Sequence, residues 1–143
     1  MSAPRPLLRA LTPETQDAIE ADEVEICAFP FRVGRESRSG KGLGLFRFRK
    51  RRSEATPPNN DLYMTDFGKR LSISREHFQI EQREDGSFEL VDRGSMCGTI
   101  VDGEVVGGQS RGGRCLLEDG DVIVVGKSKS PYLFKFLVPH GRA

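Results

Sequence analysis

Past residue 60 the sequence is a succession of short β-like runs with a turn signal between neighbours. No stretch there carries the 3.6-residue apolar period of a long helix. The runs are DLYMT (61–65), EHFQIEQ (76–82), SFELVD (87–92), GTIV (98–101), RCLL (114–117), DVIVVG (121–126) and PYLFKFLV (131–138). Glu84-Asp85-Gly86, Asp102-Gly103 and Glu118-Asp119-Gly120 supply the turns. Two further runs, EVEICAF (23–29) and FRVG (31–34), precede them. Strands this short and this closely spaced must bury one face each, so an all-β sandwich or barrel is expected. At 143 residues the chain suits one domain with a sizeable core.

Residues 1–22 differ from the rest and are expected to be an N-terminal tail or short helix ahead of a domain spanning 23–140. Thr12 followed by Pro13 is a helix start, with the threonine as N-cap and the proline at the first helical position. Thr12 and Thr15 also offer an alternative to the favoured unmodified tail or short helix, a tethered ligand: phosphorylated, either could fold back onto the domain. Residues 36–60 interrupt the β pattern, with an inserted segment at about 38–58. They run from a flexible ESRSGKGLG through the basic LFRFRKRR to a polar SEATPPNN. That basic segment is read as a solvated inserted loop, or as an arm for acidic peptides or nucleic acid.

Composition excludes several functions. The net charge of +1 gives no general reason for a nucleic-acid partner. No apolar run approaches the roughly 20 residues of a membrane-spanning helix, and the first 16 residues hold no secretory apolar core. Cys27, Cys97 and Cys115 are scattered and odd in number, so no disulfide framework, metal site or cofactor is expected, and a reducing cytoplasm is the simplest setting. Near-matches to phosphate-binding loops fail on spacing. Five residues rather than four separate Gly120 from Gly126, and GKGLG (40–44) opens no helix. No nucleophile–base pair is placed by the sequence, so the chain is expected not to be an enzyme.

Three loops carry unusual chemistry. Phe31-Arg-Val-Gly-Arg35 ends a strand in glycine and then arginine. Ser74-Arg-Glu-His77 puts a hydroxyl, a cation and an imidazole at a strand start. Asp92-Arg-Gly-Ser-Met-Cys-Gly-Thr99 is a compact polar turn. An arginine fork beside a serine hydroxyl suits a phosphate monoester, which brings up to two negative charges and three acceptor oxygens.

Taken in order, VGRE (33–36), ISREHFQI (73–80), LVDRGSMCGTIVDG (90–103) and LLEDGDVIVVG (116–126) resemble the forkhead-associated (FHA) domain family. The resemblance covers residues 24–138 apart from the insertion. It implies a β-sandwich of about eleven strands that binds phosphothreonine peptides through apical loops. Arg35 would clamp the phosphate and Ser74 bond it through its hydroxyl. Arg75, Met96 and Cys97 would face the peptide, while Gly34, His77 and Gly98 would support the loops. The implied partner is a phosphothreonine protein, such as a Ser/Thr kinase or its substrate, in signal transduction. Two departures stand out. Cys97 occupies the place of the family's peptide-binding Asn, and 38 residues separate Arg35 from Ser74. The rival expectation is a phospho-independent scaffold domain with a degraded phosphate site.

Overall fold

The computed structural model describes residues 5–36 and 59–139. Among them eleven strands form two packed sheets, with one short helix. The five-stranded sheet contains β3 (Phe31–Arg35), β4 (Leu62–Met64), β5 (Phe78–Gln82), β6 (Phe88–Asp92) and β9 (Gly113–Leu117), in the order β4-β3-β5-β6-β9. The six-stranded sheet contains β1 (Leu7–Ala10), β2 (Glu23–Glu25), β7 (Thr99–Val101), β8 (Glu104–Val106), β10 (Val122–Val125) and β11 (Leu133–Leu137), in the order β2-β1-β11-β10-β7-β8.

Alternation decides which face each strand buries. In β5 the side chains of Phe78 and Ile80 point inward and Gln79 and Glu81 outward; in β10 and β11 the buried set is Ile123, Val125, Phe134 and Phe136. The two sheets meet on this set together with Leu8, Val33 and Leu90. Phe88 and Phe136 close the layer edge-to-face, with ring centroids 5.2 Å apart. Each buried large side chain contributes roughly 1.5–3 kcal/mol of transfer free energy.

The N-terminal segment is part of the sandwich rather than a tail. Leu7 to Ala10 pair antiparallel with Leu137 to Phe134, and Leu8 and Ala10 are buried. Helix α1 (Pro13–Ile19) then starts as expected, with Thr12 Oγ1 accepting the Thr15 N–H at 3.1 Å and Pro13 leading the first turn. This favours the short unmodified helix over the tethered-ligand alternative. Thr15 is 0 % exposed, and its hydroxyl oxygen accepts the Leu133 N–H at 2.8 Å. The Thr12 hydroxyl donates to the Pro131 carbonyl at 2.6 Å. Neither threonine is free to be modified while the helix is docked.

Three smaller differences have local causes. The run expected over 23–29 stops at Glu25, and Pro30, which has no N–H to give a ladder, separates it from β3. β5 begins at Phe78, so His77 stands just ahead of the strand. β8 was hidden because it is three residues long, yet Asp102 and Gly103 (φ 50° and 90°) form the tight turn that returns the chain antiparallel onto β7. The basic insertion, including Lys41, Arg47, Arg49, Lys50, Arg51 and Arg52, lies outside the described residues.

Candidate functional site

β3 runs parallel to β4 and antiparallel to β5, and its last two residues, Gly34 and Arg35, lie beside the Ser74–Arg75 turn. The fit is tight. A Cβ on Gly34 would fall 1.9 Å from the Arg75 carbonyl oxygen and 2.7 Å from Asn60 Nδ2. Glycine is needed here for a close approach of two backbones, with no left-handed φ involved. Arg35 is tied to the same turn twice. Its N–H donates to the Ser74 carbonyl at 2.9 Å, and its Nε–H to the Ile73 carbonyl at 2.8 Å. The Nε–H bond orients the guanidinium against the turn, and its Nη groups have no partner among the described residues.

Ser74 is held by two loops. Its N–H donates to His77 Nδ1 at 2.9 Å, which requires that nitrogen to be unprotonated. The other ring nitrogen, Nε2, therefore carries the hydrogen and donates to the Gly98 carbonyl at 2.7 Å. His77 is 0 % exposed. It bridges the β4–β5 and β6–β7 loops as a neutral imidazole. The Ser74 Oγ accepts the Met96 N–H at 3.0 Å, so its own hydrogen remains for another acceptor.

Burial lowers the His77 pKa from 6.5, against a raising contribution from the Gly98 bond. The unfolded chain therefore takes up the proton first as pH falls. The His77 contribution is complete above pH 6.5 and is lost progressively below it, down to the depressed folded value. Melting temperatures measured between pH 7.5 and 5 should fall for the wild type and fall less for His77→Gln. Parallel curves for the two proteins would rule out this linkage.

The β6–β7 loop is organised by a residue the sequence reading did not single out. Asp92 is buried, and its carboxylate accepts four bonds: from the Gly94 and Ser95 N–H groups, the Ser95 hydroxyl and the Thr99 hydroxyl, at 2.6–3.0 Å. Ser95 Oγ in turn accepts the Gly98 N–H at 2.9 Å. The signal was present in Asp-x-x-Ser, the spacing of an aspartate capping its own turn. Asp92→Asn replaces an ionised acceptor by an amide that must turn one N–H toward donors. It should cost about 1.5–3 kcal/mol in denaturant unfolding; an unchanged midpoint would contradict the role.

Folding the loop around Asp92 turns Met96 outward, 61 % exposed, and leaves Cys97 half-buried with its thiol 3.6 Å from the Leu71 carbonyl. Gly98 adopts φ 87°, where a side chain would be strained. The structure thus gathers Gly34, Arg35, Ser74, Arg75, His77, Met96, Cys97 and Gly98 at one end of the sandwich. The Arg75 side chain is exposed, and its carbonyl is bound by a second unanticipated residue, the buried Asn60. Of the remaining cysteines, Cys27 is exposed and Cys115 half-buried, and burial pushes the Cys115 thiol up to about 11. Among the described residues no three His, Cys, Asp or Glu side chains converge to hold a metal ion, and no helix is long and apolar enough to cross a membrane.

The FHA-domain family matches residues 31–126, a span that holds all three of these loops. The chain belongs to that family. Among curated proteins, this FHA domain is similar to two oxoglutarate dehydrogenase inhibitors. The one from Corynebacterium diphtheriae is 33 % identical and the one from Corynebacterium efficiens 34 % identical, each over 76 residues. Those matches cover 53 % of this chain and 46 % of the relatives, so under half of each inhibitor has a counterpart here.

Solved FHA domains share the fold. The kinase-interacting FHA domain of the Arabidopsis kinase-associated protein phosphatase matches with TM-score 0.63 at 19 % identity, covering 100 % of both chains. The N-terminal FHA domain of S. cerevisiae Rad53p, solved with a phosphothreonine peptide, matches with TM-score 0.57 at 22 % identity, covering 93 % of this chain and 94 % of that one. The FHA domain of a Chlamydia trachomatis protein matches with TM-score 0.58 at 21 % identity, covering 97 % of this chain and 99 % of that one.

Proposed function

We propose that this FHA domain is a phosphothreonine-dependent protein-interaction module of cytoplasmic signalling, with a phosphorylated protein, such as a Ser/Thr kinase or its substrate, as partner. The observation that carries the reading is the state of Ser74. Its Oγ already accepts the Met96 N–H, so its hydrogen is available to a phosphate oxygen, next to an arginine whose outer nitrogens are unpartnered among the described residues. Arg75, exposed at the same turn, adds a second cation. The yeast FHA domain solved with a phosphothreonine peptide supports the ligand class.

Cys97 favours a second reading, a scaffold that no longer needs phosphate. A thiol is a weak donor and acceptor, and this one is turned to the Leu71 carbonyl. The two readings separate on an array of threonine peptides presented with and without phosphate: retention of the phosphorylated set alone supports the first, and equal retention the second. If the phosphate reading holds, Cys97→Asn should restore a peptide-backbone bond and tighten binding by about 0.5–1.5 kcal/mol. Unchanged or weaker affinity in a titration would show that residue 97 does not face the peptide.

A further inference from the structure

Asn60 is 3 % exposed, and a buried amide is costly unless its groups are bonded. Both ends are. Its Nδ2–H donates to the Arg75 carbonyl at 2.7 Å, and its Oδ1 accepts from Arg93 Nη1 at 2.6 Å. The Arg93 side chain, only 13 % exposed, also donates through Nη2 to the Asn59 carbonyl at 2.9 Å and lies 3.8 Å from the Glu76 carboxylate. Its backbone N–H donates to the His77 carbonyl at 2.8 Å.

One guanidinium therefore joins three segments: the β6–β7 loop that carries it, the chain returning to β4 at Asn59 and Asn60, and the turn after Ser74. What it fixes is specific. The Arg75 carbonyl is gripped by Asn60 on one side and abuts Gly34 on the other, where no Cβ could fit. That carbonyl belongs to the residue immediately after Ser74, and the residue immediately after Gly34 is Arg35. Holding it sets how the Ser74 hydroxyl stands against the Arg35 fork.

We infer that Asn60 and Arg93 are a positioning pair that presets the Arg35–Ser74 geometry for phosphate without touching the ligand. This rests on the reading of Arg35 and Ser74 as phosphate ligands. Charge-assisted bonds from a guanidinium fork depend on how the donors are aligned with the phosphate oxygens, so preset geometry matters even though the pair lies one layer behind the ligand.

Asn60→Asp is the discriminating variant. It keeps an acceptor for Arg93 but turns the group facing the Arg75 carbonyl from donor to acceptor, so the peptide unit must move. Arg93→Lys, which retains the charge and loses the fork, is the second variant. Two measurements on the full chain decide. The first is amide hydrogen exchange without ligand, comparing Ser74 and Met96 with Ile80 and Leu90 in the strands. The second is titration with an acid-flanked phosphothreonine peptide and its unphosphorylated twin, each variant made in the wild-type and the Ser74→Ala backgrounds.

Positioning predicts exchange about tenfold faster at Ser74 and Met96 with Ile80 and Leu90 unchanged. It also predicts phosphopeptide affinity about tenfold weaker, with a clearly smaller loss in the Ser74→Ala background. Faster exchange throughout the strands, an affinity loss equal in both backgrounds, or no change in either measurement would overturn it. A wild type that binds the two peptides alike would instead defeat the phosphate reading, while the local exchange pattern would still decide whether the pair holds the turn.

Discussion

Arg35→Ala should weaken phosphothreonine-peptide binding by about 2–5 kcal/mol, the cost of removing one partner of a hydrogen-bonded charge pair at an interface. The fold should survive. The side chain is half-buried, and its one described side-chain bond, Nε–H to the Ile73 carbonyl, contributes about 0.5–1.5 kcal/mol. The backbone bond to Ser74 is retained in the variant. Arg35→Lys should recover only part of the affinity, because an ammonium keeps the charge but cannot reproduce a planar fork whose plane is already set through Nε. Calorimetry with one phosphopeptide and the three proteins checks this. Equal affinities would remove Arg35 from the site.

Among the described glycines, Gly34→Ala should be the most damaging added methyl. Its Cβ would come 1.9 Å from the Arg75 carbonyl oxygen, a backbone atom that cannot rotate away. Neither side can yield cheaply. Gly34 pairs with Tyr63 in the parallel β3–β4 ladder, and the Arg75 carbonyl is bound by Asn60. Overpacking a well-filled site costs about 1–3 kcal/mol where side chains can adjust. With backbone on both faces the loss should reach about 3 kcal/mol or more, on the order of 10 °C in melting temperature. A Gly34→Ala protein that melts with the wild type would show that the two loops are not packed as described.

Much of the sandwich could be read because its strands alternate cleanly. Phe78 and Ile80, Ile123 and Val125, and Phe134 and Phe136 each mark one buried face, and the glycine turns between strands are local signals. β1 was illegible because LLRA has no β-branched residue, and only its pairing with β11 on one side and β2 on the other makes it a strand. The order of glycine-arginine, serine and histidine loops was visible as a resemblance. The bonds that unite them were not. Asn60 and Arg93 are 33 positions apart and meet only once the residues leading into β4 and the β6–β7 loop come together at one end of the sheet. Asp92 reads as an ordinary turn residue until its burial shows that four donors depend on it.

The central claim, a phosphate-dependent site at this end of the sandwich, is most directly tested by amide NMR of the labelled protein during addition of a phosphothreonine peptide. Shifts should concentrate on the amides of Arg35, Ser74, Arg75, Met96 and Cys97, and the unphosphorylated twin should leave those signals unmoved. The same shifts with both peptides, or shifts gathered on strands away from these loops, would contradict the account.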